Sequence, residues 1–187
     1  GFMLALTQDR ELFAWGGNTA GQLCQGHLRA VPAPARIAVA QRVEAIAAGA
    51  SHALAVTATG DVLAWGSNHR GQLGHARPAY AATPVRVPVP ERVQAVAAGM
   101  YFSLALGMSG QVYAWGWNNE GQLGLGDTAD RHAPTPVAGL TRVRAIAAGQ
   151  MHAVALGAAH LYGWGSNTGG QIGPAARRQL RPQSFLA

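Results

Sequence analysis

The sequence contains one cysteine, no lysine and no long hydrophobic run. Cys24 alone cannot form an internal disulfide or a cysteine-rich metal site, so neither stabilises this chain. Charged residues make up only 12% of the chain while 49% are hydrophobic, which excludes a disordered polypeptide. Glycine, proline, arginine and asparagine interrupt each apolar stretch within a few positions. The sequence therefore predicts no membrane-spanning helix and no membrane partner.

Because lysine is absent, the formal net charge of +6 comes from arginine. Arginine binds carboxylates and phosphates in a bidentate manner, so an acidic partner is one interpretation. A nucleic-acid-binding protein normally collects its basic residues in a stripe. The local cluster here is limited to Arg177, Arg178 and Arg181. Ordinary solvated arginines are the favoured interpretation, and we do not expect a nucleic-acid partner.

An internal repeat dominates the sequence. The phrase Trp-Gly-x-Asn recurs at intervals of 50, 50 and 49 residues, beginning at Trp15, Trp65, Trp115 and Trp164. Gly-Gln-Leu or Gly-Gln-Ile follows each copy at a fixed distance, and Arg-Val-x-Ala-(Ile/Val)-Ala-Ala-Gly recurs between copies. A period of this length specifies the whole architecture. We divide the single array 1–187 into copies at approximately 1–39, 40–89, 90–139 and 140–187.

Each repeat is predicted to form four short antiparallel strands. The apolar runs last five to seven residues and are bounded by glycine, proline and asparagine, which is too short for a stable helix in spite of the many alanines. In the second repeat we place strands at about 43–48, 52–56, 61–65 and 84–87. Four-stranded units at this period are typical of the blades of a β-propeller. The fold class is therefore all-β, with about four blades of about 50 residues in an arc or part of a larger ring.

The motifs resemble those of the regulator of chromosome condensation repeat family. They are Ala-Ala-Gly-x-x-His-Ala-Leu-Ala, then Val-x-Ala-Trp-Gly-x-Asn-x-x-Gly-Gln-Leu-Gly, then Pro-x-x-Val. The resemblance implies a β-propeller, usually of seven blades, and four copies are too few for that ring. An open arc exposes apolar faces. We expect the ring to be completed by further sequence of a longer chain or by self-association, ahead of closure into a four-bladed ring.

Residues that recur in each copy are expected to serve the scaffold. The tryptophans of the four phrases are predicted to be core, and the four asparagines are predicted to bond loop backbone. Strand parity places the loops after the first and third strands of each blade on one edge, which we call the upper rim: loops near 49–52, 67–70, 99–102, 117–120, 149–152 and 166–168. Here the copies differ, so here we look for a binding site.

Large side chains concentrate in the upper rim of the third repeat. Methionine and aromatic side chains amid His, Asn and Arg have the composition of a protein-binding hot spot. The alternative is that Tyr101 and Phe102 pack inside the blade, with Phe102 taking the place of His52 and His152. The predicted partner-binding residues are Met100, Tyr101, Phe102, Trp117, Asn119, His52, His69, Arg70, Met151 and His152.

No catalytic, cofactor or metal site is predicted. The histidines are scattered, Ser51 and His52 have no recurrent acid beside them, and the glycines 121, 124 and 126 open no helix. On the opposite edge, which we call the lower rim, Arg42, Arg92 and Arg142 stand in register. Nearby Glu11, Glu44 and Glu91 favour local ion pairs over an acidic ligand there.

We therefore predict a non-enzymatic protein-interaction module that binds a protein partner through the upper rim. The resemblance implies two alternatives. One is guanine-nucleotide exchange on a small GTPase with chromatin binding, and the other is inhibition of an enzyme, as in similar propellers that inhibit β-lactamases. The exchange factor of the family is thought to use a hairpin inserted in a blade, and the repeat spacing leaves no room for one. The sequence leaves the compartment open.

Overall fold

The computed structural model of the chain describes residues 1–174 and 176–186. These residues form fifteen strands and no helix. The strands build four antiparallel sheets in which each strand pairs with the next one along the chain. The all-β prediction is thus confirmed, and each sheet is one blade.

The strand bounds repeat one pattern, with four strands in each of blades 2 to 4 and three in blade 1. Blade 1 has three strands, β1 (Phe2–Leu6), β2 (Leu12–Gly16) and β3 (Val31–Ile37). Blade 2 consists of β4 (Val43–Ala48), β5 (His52–Thr57), β6 (Val62–Ser67) and β7 (Tyr80–Val87). Blade 3 consists of β8 (Val93–Ala98), β9 (Phe102–Gly107), β10 (Val112–Gly116) and β11 (Arg131–Pro136). Blade 4 consists of β12 (Ala145–Ala148), β13 (His152–Leu156), β14 (Leu161–Ser166) and β15 (Arg178–Leu186).

The strands expected for the second repeat differ from the structure mainly in the last one. β7 begins at Tyr80, four positions before the expected start at 84. The reason is an irregularity in the pairing of β6 with β7, whose register shifts between Ala64 and Gly66. A β-bulge of this kind lets pairing continue beyond an unpaired residue. Gly66 has φ +99 and lies against the Ser51 carbonyl, so the bulge needs glycine.

The hydrophobic core lies between blades. Alternate residues of a strand point to opposite faces of its sheet, and both faces of an inner blade are covered. Leu54 and Val56 of blade 2, for example, join Tyr113 and Trp115 of blade 3 in one buried cluster. Equivalent clusters fill the joints between blades 1 and 2 and between blades 3 and 4. This two-sided burial accounts for the low charge of the sequence.

Two sets of hydrogen bonds cross the joints in a fixed direction. The indole N–H of Trp65 donates to the Gln22 carbonyl of the preceding blade at 2.9 Å, and Trp115 and Trp164 repeat this bond to Gln72 and Gln122 at 2.8 and 2.9 Å. Near the axis, the Ala50 amide donates to the Met100 carbonyl of the following blade at 3.2 Å. The Met100 amide in turn donates to the Gln150 carbonyl at 3.0 Å. Each blade is therefore joined to its neighbours by different groups on its two sides.

The first strands of successive blades line the axis of the arc. Ala48, Gly49 and their counterparts in blades 3 and 4 enclose a cavity of about 330 Å³ there. The small residues are needed because the inner strands converge, as expected from the recurrent Ala-Ala-Gly. A side chain at Gly99 would overlap the ring of Phe102. The described part of the chain has no helix long and apolar enough to cross a bilayer.

The scaffold predictions for tryptophan and asparagine are largely confirmed. Trp65, Trp115 and Trp164 are fully buried. Trp15 is only half-buried, because no blade precedes blade 1 in the described part of the chain. In each loop one buried asparagine organises the backbone: Asn68 accepts from the Leu73 amide at 3.0 Å and donates to the carbonyls of His75 and Pro78 at 2.8 and 2.7 Å.

Candidate functional site

The upper rim is assembled from two kinds of loop that contact each other. In blade 3 the Trp117 amide donates to the Tyr101 carbonyl at 2.9 Å, which ties the loop after β10 to the loop after β8. Blade 2 makes the same bond between Ser67 and Ser51 at 2.8 Å. The rim is therefore a backbone framework that each blade supplies, and the side chains on it vary between blades.

The variable side chains of blades 2 and 3 form one cluster, which we call the aromatic rim cluster: Arg70, Tyr101, Trp117 and Asp130. Tyr101 packs edge-on against Trp117, with ring centroids 5.7 Å apart and planes at 65°. The Arg70 guanidinium lies 5.5 Å from the centroid of the Trp117 ring. Both Tyr101 and Trp117 remain half-exposed. The Trp117 indole is therefore held on two sides and remains partly open to solvent on the third.

Asp130 fixes the arginine of the aromatic rim cluster. Its carboxylate accepts the Asn118 amide at 2.9 Å and pairs with the Arg70 guanidinium at 3.6 Å. The Arg70 side chain is 51% exposed, so the ion pair contributes little to stability. Its effect is to hold the guanidinium beside the indole, where a cation–π contact at an exposed site contributes about 0.5–1 kcal/mol.

A second depression of about 430 Å³ lies on the upper rim between blades 3 and 4. It is lined by Glu120, Met151, Ser166, Thr168, Arg177 and Arg178. Arg178 reaches across the joint to donate to the Asn119 carbonyl at 3.2 Å. This depression places a methionine and two guanidinium groups on the same rim as the aromatic rim cluster.

Burial corrects two of the predicted contact residues. His52 and Phe102 are each 0% exposed, so neither side chain can touch a partner at the rim. Both rings lie over glycine, at Gly49 and Gly99 respectively, in the joint with the following blade. The alternative considered for Phe102, packing inside the blade, is the correct one, and His52 takes the equivalent place in blade 2.

The remaining predicted residues are spread over the rim. His69 and Asn119 are exposed, Met151 lies in the second depression, and Met100 faces the axial cavity. His152 is half-buried on the side of blade 4 that no described blade covers. The structure thus brings Arg70, Tyr101 and Trp117 together and leaves the others apart.

Sequence reasoning missed Asp130, and it interpreted the pair Arg177 and Arg178 as solvated arginines instead of rim residues. In blade 2 the Asn68 amide donates to the Ala79 carbonyl at 2.8 Å, and in blade 4 the Asn167 amide donates to the Arg177 carbonyl at 2.7 Å. In blade 3 the Asp130 carboxylate replaces that carbonyl. The unequal loop lengths between Asn118 and β11 and between Asn68 and β7 were the available signal, but the bond itself requires coordinates.

On the lower rim, the arginines bond differently from blade to blade. Arg42 pairs with Glu44 at 2.8 Å, and Arg10 reaches the same carboxylate at 3.4 Å. Glu91 instead accepts the Ser109 amide, the Ser109 hydroxyl and the Tyr113 hydroxyl at 2.9, 2.7 and 2.9 Å. Partial desolvation opposes ionisation of Glu91, but these bonds outweigh it and hold its pKa below the usual value. The expected local ion pairing is therefore present at Glu44 of blade 2, whereas Glu91 of blade 3 is bound by neutral donors.

The described residues contain no group of three or more His, Cys, Asp or Glu side chains placed to hold a metal ion. Cys24 lies buried beside Trp65, and desolvation raises the pKa of its thiol to about 12. The thiolate is the reactive form, so Cys24 is protonated and unreactive at neutral pH.

We compared the sequence and the fold with those of known proteins. The profile of the RCC1-like domain matches residues 1–185. No curated protein sequence gives a significant match.

Among solved structures, human WBSCR16 superimposes with a TM-score of 0.91 and 25% identity, over 100% of this chain and 51% of that one. Yeast RCC1 (Prp20), in the structure with Kap60 bound, gives 0.87 and 24% over 100% and 47%. Prp20p from Saccharomyces cerevisiae, in the structure described together with its binding to Gsp1p and histones, gives 0.85 and 25% over 100% and 48%. The chain spans about half the length of these relatives.

Proposed function

Since the chain belongs to the RCC1-like domain family, we propose that it is a protein-binding module without chemistry of its own, and that its upper rim engages the partner. The aromatic rim cluster carries this proposal. At two rim positions of blade 3, Tyr101 and Trp117 stand where blade 2 has serine, and the two rings pack on each other without leaving the surface. Exposed tryptophan, tyrosine and arginine are the residues enriched at binding hot spots.

The charge of the upper rim favours an acidic protein surface as the partner. Six arginines lie on its loops or at the strand ends beside them, against three carboxylates: Arg29, Arg70, Arg77, Arg131, Arg177 and Arg178 against Glu120, Asp127 and Asp130. Asp127 is taken by Arg131 at 2.7 Å and Asp130 by Arg70 at 3.6 Å. Arg29, Arg77 and Arg177 make no ion pair within the described residues. Complementary charge would speed association and orient the partner.

The test is capture of partners on the immobilised chain, with Trp117→Ala compared with the matched Trp15→Ala. Trp15 is also half-buried but lies on the open side of blade 1, away from the rim. We expect Trp117→Ala to weaken retention of a specific protein roughly 30-fold, the loss typical of a hot-spot tryptophan. Retention should also fall with rising salt. Circular dichroism of both variants checks the fold.

Nucleotide exchange on a small GTPase is the competing function. It is supported by the likeness to Prp20p, for which binding to Gsp1p is described. Against it, the strand connections in the described residues are short, the longest being 17–30 and 117–130, and they hold no inserted hairpin. Acceleration of nucleotide release from a small GTPase, or capture that Trp117→Ala leaves unchanged, would contradict the binding-module proposal.

A further inference from the structure

The second depression lies one joint further along the arc than the aromatic rim cluster, at equivalent positions of the chain. Asp130 directly precedes the β11 residue that pairs with Gly116. Arg178 directly precedes the β15 residue that pairs with Gly165. Strand register and repeat phrases together align the two sites. Four residues of the depression thus stand at the positions of the cluster: Glu120, Met151, Ser166 and Arg178 at those of Arg70, Tyr101, Trp117 and Asp130.

The largest difference between the two sites is at the position of the indole. Trp117 keeps a half-exposed ring at the rim, whereas Ser166 has a small side chain that is buried. The Tyr101 ring is likewise replaced by the unbranched thioether of Met151. The region that the indole fills in blade 3 is therefore part of a depression of about 430 Å³ in blade 4. Ligand pockets have volumes of this order.

Both walls of the depression belong to the internal joint between blades 3 and 4. Glu120 comes from blade 3, and the other lining residues come from blade 4. Arg177 is exposed, and the equivalent residues of blades 2 and 3, Ala79 and Ala129, are exposed as well. The depression is thus a property of the rim inside the arc, and the surfaces at the two ends of the arc take no part in it.

The charged groups of the depression are not paired with each other. In the joint between blades 2 and 3, Arg70 and Asp130 form an ion pair at 3.6 Å. One joint further on the signs are exchanged, with Glu120 at the arginine position and Arg178 at the aspartate position. Arg178 donates instead to the Asn119 carbonyl, and neither it nor Glu120 joins an ion pair within the described residues. A carboxylate of blade 3 and a guanidinium of blade 4 are therefore available to a ligand.

On the basis of the proposed binding at the upper rim, we propose that the second depression binds an aromatic side chain of the protein partner, tryptophan or tyrosine, with an acidic residue beside it. The ring lies over Ser166, at the place that the chain's own Trp117 indole takes one joint earlier. The aromatic rim cluster and the depression then contact the same partner from neighbouring joints.

Each wall of the depression supplies one contact to this side chain. The edge of an aromatic ring is positive, and the N–H of tryptophan or the O–H of tyrosine donates, so both suit the Glu120 carboxylate. The Met151 sulfur makes a favourable contact with the ring. Arg177 makes no ion pair within the part of the chain that the structure describes, and it takes the acidic neighbour in a charge-assisted bond. An aliphatic side chain offers Glu120 neither a donor nor a positive edge, so the ligand is aromatic.

The test is the binding of short acidic peptides, measured by isothermal titration calorimetry. The probe is a hexapeptide of aspartate and serine with one central tryptophan. We expect it to bind roughly tenfold more tightly than the matched peptide with leucine in place of tryptophan. Replacing the aspartates with asparagine should weaken binding about threefold, and rising salt should remove this difference. The methyl resonance of Met151 should shift during the titration, which locates the site.

Matched variants connect binding with the depression. Ser166→Trp supplies the chain's own indole to the site, as at Trp117, and should weaken the tryptophan peptide roughly tenfold or more. Ser67→Trp makes the same change at the equivalent position of blade 2, where the serine is also buried, and should leave the affinity unchanged. Arg177→Ala should weaken the peptide about threefold, whereas Arg29→Ala, at the equivalent position of blade 1, should not. Circular dichroism and thermal unfolding check the fold of each variant.

The outcomes separate this proposal from the one for the aromatic rim cluster. Equal affinity for the tryptophan and leucine peptides, equal effects of Ser166→Trp and Ser67→Trp, or no binding at about 1 mM peptide would each overturn the aromatic site. Partner capture that is lost in Trp117→Ala and kept in Ser166→Trp would retain the binding module and reject the depression. Peptide binding that Ser166→Trp abolishes, together with capture that Trp117→Ala leaves unchanged, would support the depression and reject the aromatic rim cluster.

Discussion

His52 is a titratable side chain inside the joint between blades 2 and 3. Its Nε2 lies 3.0 Å from the Ser103 hydroxyl, which itself donates to the Gln72 carbonyl at 2.8 Å. Ser103 has one proton to give, so His52 must donate from Nε2, and its Nδ1 is left buried without a partner. Burial lowers the pKa of His52 to about 4. The imidazole is therefore neutral at physiological pH.

This arrangement predicts a pH-dependent stability. Because the pKa of His52 is about 4 in the folded chain and 6.5 in the reference state, the unfolded chain binds the proton more tightly. The contribution of neutral His52 to the free energy of unfolding is fully present above pH 6.5, and it falls by a few kcal/mol as the pH drops toward 4. Urea unfolding at a series of pH values should show this loss in the native chain and a flatter profile in His52→Phe.

Phenylalanine is the natural replacement, because Phe102 occupies the equivalent position of blade 3 over Gly99. The control is His152→Phe, whose half-buried ring has its pKa lowered by partial desolvation. It should remove a smaller part of the pH dependence. An acid transition of the same size in His52→Phe as in the native chain would show that other groups govern it.

At the scale of single elements, one buried asparagine side chain holds the loop between the third and fourth strands together. In blade 3 the Asn118 side chain accepts the Leu123 amide at 3.0 Å and donates to the carbonyls of Asp127 and Ala129 at 3.1 and 2.9 Å. The next residue, Asn119, is exposed. Two adjacent asparagines thus have different tasks, one inside the loop and one on the rim.

The pair offers a matched test of the loop. Asn118→Ala removes the acceptor of one buried amide and the donor to two carbonyls, so we expect a loss of roughly 2–4 kcal/mol in the free energy of unfolding. Asn119→Ala should change it by less than about 0.5 kcal/mol, as for a surface substitution. Urea denaturation of both variants measures the difference. Equal effects would show that the loop does not depend on the buried amide.

The repeat made the strands and loops predictable from the sequence, while the aromatic rim cluster was only partly predictable. A side chain that recurs four times, such as Trp65 or Asn68, can be assigned to the scaffold by comparing the copies. The aromatic rim cluster depends on contacts between blades, and its Asp130 stands at a position where blades 2 and 4 use a backbone carbonyl. His52 and Phe102 were misassigned because a ring beside a rim loop can point either to the rim or into the joint between blades. The alternation of side chains at a strand end does not distinguish these two directions.

For the whole molecule, burial declines from the middle blades to the ends. All six residues of β5 and of β9 are buried. The strands of the end blades are not: β1 has no fully buried residue, and β12 has none either. Local opening has the lowest free-energy cost where few apolar contacts must be broken.

Hydrogen exchange should follow this gradient. We expect the amides of β5 and β9 to exchange roughly 100-fold more slowly than those of β1 and β12. This comparison within one molecule needs no substitution. The amides of β13, a strand of mixed burial, should exchange at an intermediate rate. Uniform protection across the four blades would show that the array opens as one unit, contrary to this prediction.

The fixed direction of the bonds between blades also limits how such a molecule can change in evolution. Each joint pairs an indole N–H of one blade with a loop carbonyl of the preceding blade, as between Trp65 and Gln22 or Trp115 and Gln72. Insertion or deletion of a whole repeat keeps each indole donor beside its carbonyl acceptor. Insertion or deletion of part of a repeat separates a donor from its acceptor. Lineages of this architecture should therefore differ in length by multiples of about 50 residues, the interval between successive tryptophans.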